Sequence, residues 1–66
     1  MSPYQEAVNK RFNGEDTCED WEKALTYCEE KAENSTDVTT ADKYRRLAYH
    51  CEINAENADY RESERN

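Results

Sequence analysis

The residues able to do chemistry are few: three cysteines (Cys18, Cys28 and Cys51), one histidine (His50) and sixteen carboxylates. Three thiols and an imidazole could in principle hold zinc. Cys18 and Cys28, however, stand ten residues apart. That is nearly three helical turns, or about 15 Å along one helix, too far for one tetrahedral ion. The spacing matches no zinc pattern, and an odd number of thiols does not make a disulfide framework. His50 adjoins Cys51, but neighbours on a helix point about 100° apart and do not form a nucleophile–base pair. Carboxylates abound with no implied pocket around them, so acid–base catalysis is not expected. There is no glycine-rich phosphate loop. The chain therefore reads as no enzyme, without cofactor or metal, and its cysteines read as small hydrophobes in a packed seam. A thiol-based metal or redox sensor is the alternative that these residue types leave open.

The elements that would position these residues are helices. Cys18, Trp21, Leu25, Cys28 and Ala32 step by 3, 4, 3 and 4 residues, the seam of one helix face. Strand alternation would place Trp21 with Lys23 and Leu25 with Glu29, which fits poorly. Trp21 to Asn34 and Tyr44 to Asn57 repeat one pattern at an offset of 23, with five identical pairs including Cys28/Cys51 and Ala32/Ala55. Two copies are too few for a solenoid and suggest a symmetric antiparallel hairpin. Thr17 with Asp20 resembles a capping box, and Asn34 is a plausible stop. Ser2-Pro3-Tyr4-Gln5 is a helix start, and Asn13-Gly14 a helix end. The spacing thus predicts an all-α fold: a short helix over 3–12, helices over 18–33 and 38–60, and a frayed tail over 61–66. Folding the hairpin about its turn places Cys28 near Tyr44 and Trp21 near Cys51. The expected core is Trp21, Leu25, Cys28, Tyr44, Leu47, Ala48 and Cys51.

Sixty-six residues allow one domain, 1–66. Two Leu, one Ile, two Val and one Phe make a thin apolar stock beside a net charge of −7, close to the disordered class. Five Tyr and one Trp pull the other way, because each buried aromatic covers roughly 150–250 Å². Chains this small are marginal alone, so self-association into a dimeric or higher helical bundle is expected. No apolar run is long enough for a signal peptide or a membrane span. Unpaired cysteines point to the reducing cytoplasm. The acidic balance opposes direct contact with nucleic acid or anionic membrane, because phosphate binding wants Lys and Arg.

Two surfaces stand out. Helix three is apolar on two sides, with Tyr49, Ile53 and Tyr60 opposite the hairpin seam. Helix one covers them through Tyr4, Val8 and Phe12, or they form a homo-oligomer interface, or the tyrosines simply stand in solvent with their apolar stems along the helix. Glu15, Asp16, Glu19, Asp20, Glu52, Glu56 and Asp59 gather at the other end, either as a solvated acidic surface that aids solubility or as a candidate docking surface for a basic partner. The acidic end also admits mimicry of DNA charge. Near the hairpin turn, Glu29, Glu30 and Glu33 are expected to pair with Lys43, Arg45 and Arg46 and so set the register.

The stretch YQEAVNKRFNGEDTCEDWEKALTYCEEKAEN resembles the small early proteins of lambdoid bacteriophages encoded in the exo–xis segment. The likeness extends over most of the chain. It rests on size, acidity, the Phe12-Asn13-Gly14-Glu15-Asp16 link and the Trp21 helix. It implies a regulator of host physiology or phage development that acts through contacts with a host or phage protein, and it brings no catalytic residues.

Overall fold

The computed structural model describes residues 1–64, and they are all-helical. Helix α1 spans Pro3–Phe12, α2 Cys18–Asn34 and α3 Val38–Glu64. Each helix starts where a side chain satisfies the free amides of its first turn. The Ser2 hydroxyl accepts from the Gln5 amide at 3.1 Å, with Pro3 in the first turn. Thr17 and Asp20 complete a reciprocal capping box: Thr17 Oγ1 accepts from the Asp20 amide, and Asp20 Oδ2 accepts from the Thr17 amide. Asp37 caps α3 by accepting from both the amide and the hydroxyl of Thr40.

Helix α1 ends in a Schellman turn. The Glu15 amide donates to the Lys10 carbonyl at 2.8 Å and the Gly14 amide to the Arg11 carbonyl at 3.0 Å. The turn needs a residue in the left-handed region, and Gly14 supplies it at φ 72°. The chain thereby reverses within five residues, and α1 packs chiefly on α2.

Helices α2 and α3 form the main contact of the fold. At 27 residues α3 is roughly 40 Å long, and it sets the long dimension of a 44 × 20 × 13 Å molecule. The core holds one large side chain, Trp21, among small ones: Ala7, Ala24, Cys28, Cys51 and Ala58. Tyr44, Leu47, Ala48 and Leu25 are half-buried against it.

Two expectations about α3 need correction. Its tail was expected to fray from Arg61, yet the helix continues to Glu64. The α1–α2 link lies alongside this last stretch and buries Ala58 completely, so the final turns have something to pack against. Residues 65 and 66, the rest of that expected tail, lie outside the described residues. The register also differs from a simple fold-back about the turn. The thiols of Cys28 and Cys51 meet each other, off the expected level, whereas Tyr44 meets Tyr27 edge-on, with ring centroids 6.4 Å apart, close to the level the fold-back predicts. Side chains lean toward the N-terminus of their own helix. In an antiparallel pair these leans offset the contacts by about one position on each helix. The repeat offset of 23 makes Cys28 and Cys51 equivalent positions of the two helices.

Candidate functional site

Of the residues expected on the acidic surface, Asp16 is instead buried, at 8% exposure. Its Oδ2 accepts two hydrogen bonds of 2.8 Å, one from the Trp21 indole Nε1 and one from Arg61 Nη2. One carboxylate oxygen thus ties the α1–α2 link to the core indole and to the end of α3. Burial pushes the Asp16 carboxyl up, but the bonds from Trp21 and Arg61, with the Arg61 charge, outweigh it and hold the group below its ordinary value. Asp16 Oδ1 is buried without a partner. Asp20 is also engaged inside the fold, by the Thr17 cap and by Lys10 at 2.9 Å. Desolvation raises its pKa, and the Lys10 and Thr17 bonds more than reverse that, leaving it lowered. Asp16 and Asp20 are therefore structural clamps. Glu15, Glu19, Glu52, Glu56 and Asp59 do lie exposed, with Glu19 paired to Lys23 at 3.2 Å.

At the hairpin turn, the expected bridges from Glu29, Glu30 and Glu33 to Lys43, Arg45 and Arg46 are not found among the described residues. Arg45 instead reaches Asp42 on its own helix, at 3.6 Å. Lys31 lies over the Tyr27 ring and Lys43 over the Tyr44 ring. The tyrosine pair fills the space between the helices, and the lysines lie along it as cation–π partners.

Helix α1 does not cover the second face of α3. It sits against α2 through Tyr4, whose ring meets Trp21 edge-on at 6.2 Å, and through Lys10. It reaches α3 by a bond from Arg11 Nη1 to Asn54 Oδ1 at 2.9 Å. Between the two helices runs an open groove of about 810 Å³, with Val8 and Phe12 on one wall and His50 and Ile53 on the other. Phe12 is 87% exposed, Tyr49 61%, Tyr60 67% and Ile53 38%. Burying such side chains is worth about 25 cal/mol per Å², so this face is a source of binding energy left on the surface. Phe12 was expected to help cover it and instead stands at its edge.

The thiols are placed for packing. Cys28 and Cys51 are fully buried, and Cys18 is half-buried. Burial pushes the Cys51 thiol up to about 12, with Cys28 beside it adding to the shift. Burial likewise raises Cys28 and Cys18, the latter helped by Glu22. Nucleophilic thiols need the opposite environment. Among the described residues, no group of three or more His, Cys, Asp or Glu side chains is placed to hold a metal ion. Brief treatment of native protein with iodoacetamide at pH 8 should therefore add at most one adduct, at Cys18, and three in guanidinium. Intact mass and peptide mapping give the count. Rapid triple alkylation of folded protein would show that the α2–α3 seam opens readily.

No helix of the described residues is long and apolar enough to cross a membrane. Comparison of the chain with known protein families, curated proteins and solved structures finds no match.

Proposed function

We propose that this chain is a small acidic helical factor that acts by binding protein in the bacterial cytoplasm, the role implied by its resemblance to small phage early proteins. The uncovered face of α3 carries this reading. The chain holds only six Leu, Ile, Val and Phe residues, yet Phe12, Val38 and Ile53 stay exposed, with Tyr49 and Tyr60 beside Ile53 along α3. A chain with so small an apolar stock loses stability by leaving it in water, and exposed apolar patches of this kind mark interaction sites. Mimicry of DNA is less well supported, because Asp16 and Asp20 spend their charge on internal bonds.

The test is capture from bacterial lysate with wild-type protein and with a Tyr49→Ser, Ile53→Ser double variant. Both positions are exposed, so the variant should keep its helical circular dichroism. The expected result is a defined captured protein, reduced about tenfold or more by the substitutions, equivalent to roughly 1.4 kcal/mol. Empty capture at physiological salt, or capture indifferent to both substitutions, argues against the reading.

A further inference from the structure

We propose that the first occupant of the α3 face is a second copy of this chain, packed antiparallel. This rests on the protein-binding reading above and names the partner. At about 100° per residue, Asp42, Tyr49, Ile53 and Tyr60 fall within roughly 40° of one another on the helix circumference, along one outward stripe of α3. Asp42, Arg45, Arg46 and Tyr49 stand at i, i+3, i+4 and i+7 and border a shallow notch. Four residues so spaced are the hole of knobs-into-holes packing. Tyr60, 67% exposed on the same stripe, is the large side chain available to serve as the knob.

Seating Tyr60 of each copy in the notch of the other fixes the rest of the register. Tyr49 then enters the equivalent hole bordered by Ile53, Glu56, Asn57 and Tyr60. Ile53 meets its own copy at the two-fold axis. An interface that repeats itself under one rotation closes as a dimer.

Charge selects the same arrangement. The stripe carries Arg45 and Arg46 beside the single carboxylate Asp42 before Ile53, and the carboxylates Glu56 and Glu64 after it. Antiparallel pairing sets Arg46 toward Glu64 of the other copy, whereas parallel pairing would set like against like. Arg46 and Glu64 are exposed and form no ion pair among the described residues. Phe12, which shares the groove with Ile53, falls on the same side of the seam in both copies. The two rings therefore converge beside the axis and extend the apolar contact beyond α3.

Sedimentation equilibrium of the full chain at about 0.1 mM and physiological salt should give twice the 7.8 kDa protomer mass. Ile53→Asp should give the protomer mass with unchanged circular dichroism. Arg46→Glu and Glu64→Arg should each weaken the dimer about tenfold or more. Mixing these two variants should restore it, because every Arg then meets a Glu. A wild-type protein that stays monomeric, a dimer indifferent to Ile53→Asp, or charge variants that fail to rescue each other would overturn the pairing. A monomer that still captures a host protein through Ile53 would sink the pairing alone. A dimer that captures nothing would leave the pairing standing and sink the broader reading.

Discussion

Replacing Trp21 with alanine leaves this chain largely unfolded at 25 °C. Trp21 is 1% exposed and is by far the largest side chain in the core. Truncating a buried aromatic costs about 3–5 kcal/mol. A single core in a chain of this size seldom supplies more than that in total, so the loss is of the order of the whole stability. Two further effects act in the same direction. Tyr4 loses the ring it meets edge-on, and with it the main anchor of α1. Asp16 loses its indole donor and keeps only Arg61. Trp21→Phe separates the terms, because it retains most of the apolar area and removes only the N–H. The expected order in thermal melts followed at 222 nm is wild type, then Phe, then Ala, with no cooperative transition for Ala. An alanine variant that melts cooperatively within a few degrees of wild type would show that the indole does not hold the fold together.

Asp16→Ala is the second large effect, expected at roughly 2–3 kcal/mol in urea titrations. The side chain of Asp16 is nearly inaccessible, and the indole N–H it accepts from is buried, so that donor has no water to turn to. Arg61 keeps 45% of its side-chain surface exposed and can rehydrate. Arg61→Ala should nonetheless cost a comparable amount, because it leaves the 2%-exposed Asp16 carboxylate buried without its counter-charge. The same bonds give the wild type its acid sensitivity. The folded Asp16 carboxyl titrates below its unfolded value near 4. Its contribution is fully present above that value and is lost as pH falls through the folded one. Asp20 and Asp37, also lowered, act in the same direction. Wild-type stability should therefore fall below about pH 4, and Asp16→Ala should show a shallower fall over the same range. Costs below about 0.5 kcal/mol at both Asp16 and Arg61, with an acid profile for Asp16→Ala identical to that of wild type, would refute the clamp.

Much of the fold is legible in the sequence because the signals are local. Ser2, Thr17 and Asp20 announce helix starts through bonds that span three residues, and Asn13-Gly14 announces a reversal that only backbone sterics requires. The fold class follows from the 3, 4 spacing from Cys18 to Ala32. What was not legible is what depends on distant partners. Asp16 lies in an acidic run and looks solvated, and its burial is set by Arg61, 45 residues away. The meeting of Cys28 with Cys51 depends on how the two helices pack, which apolar spacing does not encode. The position of α1 was undecidable for a related reason: Tyr4, Val8 and Phe12 fit α2 or α3 by pattern alone. Edge-on contact with Trp21 and the Lys10–Asp20 bond draw the helix to α2, which leaves the outer face of α3 uncovered.

Between the larger side chains of the core, α2 and α3 hold four small, fully buried positions, alanine or cysteine in each case, and these limit how the sequence can change. Small side chains let two helices approach toward the lower end of the usual 8–10 Å between axes. At Ala24, Cys28, Cys51 and Ala58, all fully buried, there is no slack for a branched side chain. A substitution that would strengthen a roomier bundle would here wedge the backbones apart, at a typical cost of 1–3 kcal/mol. Mutational drift at these four sites is thus confined to residues of nearly equal volume, while the outer stripe of α3 is free to vary with whatever it binds.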